Sequence, residues 1–354
     1  KDLLVPSDIP GYTGYTSLMS NVGQTSNKGI ELSLTGYIIE TNDFSLNATF
    51  NIGHNKNKID KLSSGENEWI LSSGWAGTQL LNTDDYRARV GGTSGLIYGF
   101  VNDGFYTMND FESFDSTART WKLKDGVVDS SPLSGTPRPG NAKFKKLTPV
   151  DENSANPYQI TDDDRTVIGE TTPKFSGGFG LNATYKGFDL SMFFNFMYGF
   201  DVYNANKIMM TTWYDNSGNN LSMDVASDKR WRNFDDMGNE IRYNPEALAK
   251  FNENATMWNP TSIGRPIAMS YAIEDGSFLR LNTLTLGYTL PQAWTRKAGL
   301  NKVRFYMSGY NLWTITGYSG YDPEVNIATG LTPNIDHDAY PRSRTYTFGV
   351  QLTF

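Results

Sequence analysis

The sequence predicts an all-β chain: part of the wall of a transmembrane antiparallel β-barrel, with long loops on one side. Three observations point there. Segments of about ten residues alternate between apolar and polar side chains, the period of a strand with two unlike faces. The connections between these segments alternate short and long. The chain stops at Phe354, at the end of one such segment.

Strands are expected near 29–40, 43–55, 79–90, 97–106, 174–185, 188–199, 277–290, 302–313 and 343–354. In the second, Phe44, Leu46, Ala48, Phe50 and Ile52 alternate with Ser45, Asn47, Thr49, Asn51 and Gly53. The first sets Ile30, Leu32, Leu34 and Ile38 against Glu31, Ser33 and Thr35. In 79–90, Arg87 and Arg89 are assigned to the lumen, because a lipid-facing Arg costs ~2–4 kcal/mol at the bilayer midplane. Phe188, Leu190, Met192, Phe194, Phe196 and Tyr198 share one parity. Leu279 and Leu281 lie on the opposite parity from Leu284 and Leu286, and a bulge near Asn282 reconciles them. The last strand sets Tyr346, Phe348, Val350, Leu352 and Phe354 against Thr345, Thr347, Gly349, Gln351 and Thr353. Tyr346, Phe348 and Phe354 are its closing-strand signal.

Short turns are expected at Thr41-Asn42, Gly91–Leu96 and Lys186-Gly187, with a moderate one from Pro291 to Asn301. Long loops fall at approximately 56–78, 107–173, 200–276 and 314–342. Outer-membrane barrels have short periplasmic turns and long extracellular loops. Placing Phe354 at the periplasmic end makes every long loop extracellular.

Composition narrows the class further. The 354 residues include 34 Gly, 20 Tyr, 20 Phe and 8 Trp, but no Cys. Aromatic and glycine enrichment suits strands and turns more than an α/β enzyme. There is no apolar run of ~18 residues for a membrane helix, while barrel strands need only ~9–11. A net charge of −7 argues against a nucleic-acid partner. The missing cysteines exclude disulfides and thiolate metal sites. Lys1-Asp2-Leu3-Leu4-Val5-Pro6 contains no apolar leader, so further sequence is expected upstream.

A series of motifs then runs along nearly the whole chain. It comprises Asn21-Val22-Gly23 with Asn27-Lys28-Gly29-Ile30-Glu31-Leu32, and Asp164-Arg165-Thr166-Val167-Ile168-Gly169 with Pro173-Lys174-Phe175. Tyr185-Lys186-Gly187-Phe188-Asp189-Leu190-Ser191 and Glu274-Asp275-Gly276-Ser277-Phe278-Leu279-Arg280-Leu281 follow. Leu286-Gly287-Tyr288, Asn311-Leu312, Tyr321-Asp322-Pro323-Glu324 and Tyr340-Pro341 complete it. In this order they resemble the SusC/RagA family of TonB-linked outer-membrane transporters. The resemblance implies a barrel of roughly 22 strands, of which this chain supplies about nine at the C-terminal side. It also implies an N-terminal plug and TonB box outside this chain, a SusD-like surface lipoprotein, and energy from a TonB complex. The implied substrate is an oligosaccharide or peptide, and membrane lipid or lipopolysaccharide would surround the wall.

One departure concerns metal. The family often carries an acidic, glycine-containing loop before the Asp164 motif. Here Asp151-Glu152-Asn153 runs into Ser154-Ala155-Asn156-Pro157, which breaks the oxygen spacing of a calcium loop. Asp162 and Asp164 remain candidate calcium ligands, against the plainer reading of a solvated acidic loop. No other cofactor is expected.

No catalytic set stands out, so the chain is not expected to be an enzyme. Ligand contact is assigned instead to Trp213, Tyr214, Trp231 and Trp258 with Arg230 and Asp235, in the 200–276 loop. Aromatic rings cover apolar C–H faces while neighbouring polar groups take hydroxyls or amides. The plainer reading is that these rings pack the loop itself or contact the lipoprotein. A helix is expected over 244–252, with Pro245 at its start. The expected function is TonB-dependent import of an oligomeric nutrient. The alternatives are a passive porin or export barrel, and a secreted β-sandwich lectin or glycoside hydrolase.

Overall fold

The computed structural model describes residues 3–8, 17–62, 67–81, 84–213, 220–327 and 330–354. Its main sheet is an antiparallel meander of eight strands in sequence order. They are β1 (Leu3–Asp8), β2 (Ser17–Glu40), β3 (Phe44–Lys61), β4 (Phe175–Tyr185), β5 (Phe188–Tyr198), β6 (Phe278–Thr289), β7 (Lys302–Thr316) and β8 (Thr345–Thr353). A β-sandwich would need two packed sheets. This is one curved arc with both edges, β1 and β8, left unpaired among the described residues.

Alternation settles which face is apolar. Leu181 pairs with Ala48 and Met192, Phe179 with Phe50 and Phe194, and Leu190 with Leu286, all on one side. At the short-turn end of that side, Phe44, Tyr185, Phe188, Tyr288 and Phe305 follow one another across five strands. At the other end Phe175 pairs with Tyr198, and the His54 ring lies 5.5 Å from Phe175. These two aromatic rows bracket an apolar band as deep as an 11-residue strand, long enough to cross hydrocarbon. In β8, Tyr346 and Phe348 are exposed on this same side, Phe348 by 76%, and Phe354 just past its end is exposed as well.

Local chemistry sets the register. Lys186 and Gly187 both take positive φ, 43° and 92°, the conformation of a two-residue hairpin turn. Thr41 closes the other tight turn, its N–H and Oγ1 both donating to the Phe44 carbonyl. The expected bulge is present: Phe193 faces Thr283 but Phe194 faces Leu281, so Asn282 is the extra residue. Opposite it in β7, Asn311 sits at φ 54°, a left-handed conformation that Asn tolerates.

Two expected wall strands lie elsewhere. Tyr86–Arg89 and Leu96–Gly99 belong to a separate four-stranded sheet with Glu68–Leu71 and Thr166–Glu170. Arg87 does not face a lumen. Its Nη2 donates to Glu68 Oε2 at 2.7 Å, and its guanidinium lies over the Tyr98 ring. The wall therefore holds eight strands, the two lost being partly offset by β1. Everything from 62 to 174 is one excursion rather than two loops.

Every long connection among the described residues (62–174, 199–277 and 317–344) leaves from the same end of the sheet. The three fold together into a cap with its own core. Tyr86, Phe100 and Phe144 come from the first, Tyr203, Ile208 and Met269 from the second, and Ile335 from the third, all buried in one cluster. A three-stranded sheet links the second and third: Asp201–Asn204 pairs antiparallel with Ile273–Asp275 and parallel with Ile335–Asp336. The expected helix is present at Pro245–Phe251, its N-terminus capped by Asn244.

The sidedness of the wall is testable by charge. Phe50→Arg places a cation on the apolar side and is expected to cost ~2–4 kcal/mol. Asn51→Arg, one residue on, points to the polar side and is expected to leave folding nearly unchanged. The folded fraction of each full-length variant after refolding into lipid compares them directly.

Candidate substrate-facing site

The polar side of the wall is laced by side-chain hydrogen bonds between strands. Ser45 meets Thr184 at 2.6 Å, Asn182 donates to Asn47 at 3.1 Å, Ser191 donates to Asn182 at 2.7 Å, and Thr285 meets Ser308 at 2.8 Å. Near the short-turn end Arg304 of β7 reaches across β6 to Asp189 of β5, with Nε–Oδ1 at 2.9 Å and Nη2–Oδ2 at 2.5 Å. Gly287 lies beneath this bridge, and a Cβ there would come within 2.5 Å of the Arg304 guanidinium. Asp189 and the glycine of Leu286-Gly287-Tyr288 thus serve one bidentate ion pair.

At the far end of β6 a second ion cluster fastens the cap to the wall. Arg280 is 2% exposed. Its Nη2 donates to Asp322 Oδ1 at 2.5 Å, and its Nη1 lies 3.2 Å from Glu324 Oε2. Arg342 pairs with Glu324 Oε1 at 3.4 Å, and the Arg342 N–H reaches Asp322 Oδ2 at 3.5 Å. Burial works to raise the Asp322 carboxyl, but the Arg280 guanidinium and the Glu324 and Arg342 N–H groups together outweigh it and hold the group below its ordinary value. Residues from two separate motifs meet in this one cluster, joined by Arg342 just past a third.

Between the second and third excursions the cap opens a cleft of about 410 Å³, whose lining includes Asn206, Lys207, Asp224, Ser319, Tyr321 and Asp338. Lys207 projects from the helix Ala205–Thr211; its Nζ lies 3.1 Å from Glu274 Oε1 and 4.3 Å from the Tyr271 ring centroid. Glu274 also accepts from the Ser319 N–H and Oγ at 2.9 and 2.8 Å. Burial pushes its carboxyl up, yet Ser319 and Lys207 together hold it below the ordinary range. Asn206 donates to Asp336 at 3.0 Å and accepts from the Asp338 N–H at 2.9 Å. Tyr321 stands at the rim, 82% exposed. An open aromatic ring beside amide, ammonium and carboxylate groups can hold a ligand that has both apolar faces and hydrogen-bonding groups.

The residues expected to contact ligand are dispersed. Trp258 is 2% exposed in the main cap core, edge-on to Tyr271. Trp231 is 3% exposed in a different cluster with Ile241 and Leu248, its ring against Gly140. Both rings therefore pack the cap. Asp235 ties a turn, accepting from the N–H groups of Met237 and Asn239. Arg230 donates to the Val225 carbonyl. Trp213 is exposed, and Tyr214 lies outside the described residues. Composition alone could not separate a packing Trp from a binding one, and the cleft residues carry no periodic signal. Only Tyr321 lies in a motif.

Of the two calcium candidates in the acidic stretch, Asp162 is exposed and Asp164 is structural. Asp164 is fully buried and accepts from the N–H groups of Leu147, Thr148 and Thr161 at 2.7–2.8 Å and from the Thr148 hydroxyl at 2.7 Å. Burial alone would raise its carboxyl, but these donors outweigh it and hold it at about 2. Protein donors occupy the oxygens that calcium would need. Among the described residues no group of three or more His, Asp or Glu side chains is placed to hold a metal ion.

No family model matches the chain. It is 32% identical to the TonB-dependent receptor P3 of Formosa agariphila, over 100% of this chain and 31% of that protein. The TonB-dependent receptor SusC of Bacteroides thetaiotaomicron is 24% identical, over 100% of this chain and 29% of its own length. Among solved structures, the RagAB peptide transporter aligns with a TM-score of 0.69 at 24% identity, covering 100% of this chain and 32% of the matched one. That likeness fixes the fold. The chain spans about a third of the length of the curated relatives it matches.

Arg280→Ala leaves Asp322 buried without its cation and Glu324 with Arg342 alone, and is expected to cost about 3–5 kcal/mol. Hydrogen exchange in the full protein should quicken over 317–344 while β3–β5 stay protected. Asp164 titrates near 2 when folded and near the ordinary ~3.9 when unfolded. Its stabilisation is complete above about pH 4 and is lost as pH falls toward 2. Asp164→Ala should lower cap stability by ~1–3 kcal/mol at neutral pH and flatten the acid dependence, read as exchange across 147–166.

Proposed function

Because this chain is related along its whole length to TonB-dependent receptors of the SusC/RagA type, we propose that it forms one arc of the barrel wall, with its extracellular cap, in an outer-membrane importer of oligomeric nutrients. The observation that carries this reading is the sidedness of the molecule. One side of the sheet is apolar between two aromatic rows, the other is a polar hydrogen-bonded surface, and the three described excursions rise from one end only. In this reading the polar side lines the lumen and the cap faces the cell exterior. The remaining strands, the plug and the TonB box lie in the rest of the protein. A TonB complex supplies energy through that portion, and a SusD-like lipoprotein sits against the cap.

The cargo in this reading is an oligosaccharide or a peptide, met first at the cleft between the second and third excursions. Tyr321 offers a ring face, while Asn206, Lys207 and Asp338 offer hydrogen bonds to hydroxyl or amide groups. The names of the relatives describe receptors and transporters, which supports a non-enzymatic role.

Uptake by cells carrying the full protein tests the reading, using fluorescent oligosaccharide and peptide mixtures. Disrupting TonB should abolish uptake, whereas persistent uptake would indicate a passive pore. Tyr321→Ala should raise the half-saturating concentration by roughly 2- to 12-fold, the range for loss of one aromatic contact. No change would remove the cleft from the pathway.

A further inference from the structure

The outer side of the β2–β3 hairpin carries an electrostatic conflict. Above the apolar rungs Leu34–Phe50 and Leu32–Ile52, the ladder continues through Ile30–His54 to Lys28–Lys56, then Ser26–Lys58. The register is unbroken from Gly36 to Thr25, so Lys28, Lys56 and Lys58 share the side of Ile30, Leu32 and Leu34. The hydrogen bond from Asn57 to Asn27 on the other side fits this alternation. Lys28 and Lys56 are directly opposed across the two strands. Such positions set Cβ atoms ~4.5–5.5 Å apart, and like charges there destabilise the sheet.

Nothing among the described residues relieves the repulsion between Lys28 and Lys56. All three lysines are exposed. Among the described residues, neither Lys28 nor Lys56 forms an ion pair with a carboxylate; Lys58 alone approaches one, Asp60, at 3.9 Å. The height of the cluster is informative. On β3 the alternating apolar run from Phe44 to Ile52 is nine residues, within the ~9–11 residues that a tilted strand needs to cross the hydrocarbon. Lys56 lies four residues beyond Ile52, level with lipid headgroups, at the end from which the cap rises.

We propose that Lys28, Lys56 and Lys58 form a site for the phosphate of a lipid headgroup in the outward leaflet. A phosphate between the two opposed ammonium groups turns their repulsion into two attractions, while the acyl chains lie along Ile30, Leu32 and Leu34. The site rests on the reading of the sheet as a membrane wall with the cap outside. It adds that this stretch of wall selects a phosphorylated lipid rather than any lipid.

The test uses the full-length protein in nanodiscs of neutral lipid doped with lipid A bearing two phosphates or with its dephosphorylated form. Native mass spectrometry reads the lipid retained. The wild type should retain the phosphorylated form preferentially. The double variant Lys28→Gln/Lys56→Gln should lose about 30-fold in that preference, roughly fivefold per lysine at a membrane surface. Lys122→Gln, in a cap hairpin, is the control and should change nothing. Removing opposed like charges does not threaten folding, and insertion of the variant into nanodiscs is scored separately, so a failure of the membrane reading itself would show as failed insertion of the wild type. Equal retention by wild type and double variant overturns the proposal. Displacement of the lipid by inorganic phosphate at matching phosphate concentration also overturns it, by showing a site for free anion.

Discussion

In hydrocarbon every backbone N–H and C=O must find a partner within the protein, and each strand must show lipid only apolar side chains. Most of this architecture follows from that constraint. It selects an up-and-down meander, because neighbouring antiparallel strands can be joined by turns as small as Lys186-Gly187. It forces strict alternation, because one slip would exchange the two faces. Where β6 does slip, at Asn282, β7 answers with its own irregularity at Asn311, and Leu279 and Leu281 regain the face of Phe194 and Phe196. Excess chain is expelled from the wall, and all that the described residues show of it beyond the turns leaves at one end.

That expelled chain faces a different requirement. A segment as long as 62–174 cannot remain structureless over a compact body. It buries its own apolar residues, and it does so jointly with the other excursions: Tyr86 donates to the Pro333 carbonyl, and Trp75 to the Tyr203 hydroxyl. The Arg280 cluster then joins this body to the wall. A buried guanidinium is stable only when all its carboxylate partners are in place, so the third excursion and β6 must order together. This explains why charged residues from distant motifs converge at one point.

The sequence made the wall legible because membrane strands obey a strong rule over some ten residues. Phe44–Gly53 holds the alternation without a break over ten residues, the length of a membrane strand. The same rule misled at 79–106. Tyr86 and Ala88 alternate with Arg87 and Arg89 as a wall strand would, but any sheet with one buried face produces that pattern, and these four residues form a short strand of the cap. Length was the discriminating feature, since four residues cannot cross a bilayer. The ligand candidates were harder still. Trp231 and Trp258 have the composition of a binding surface, but whether a ring faces a core or a cleft depends on contacts between chain segments far apart in sequence, such as Trp231 with Gly140. Asp164 shows the same limit, for its partners Leu147 and Thr148 lie in a stretch with no recognisable pattern.

A cap with its own core has a consequence for binding. A cleft formed by flexible loops must be ordered when ligand arrives, and that ordering entropy weakens the affinity. Here Asn206 is already held by Asp336 and Asp338, and Lys207 by Glu274. These two side chains are held before any ligand enters, while the Tyr321 ring stands exposed at the rim. The cost of that arrangement is that polar groups on the walls are partly spent on each other. On the proposed reading of the cleft, a ligand would compete for, or add to, bonds already made, which favours cargo that meets several groups at once. A chain of repeating units, each presenting the same donors and acceptors, satisfies that condition better than a single small molecule does.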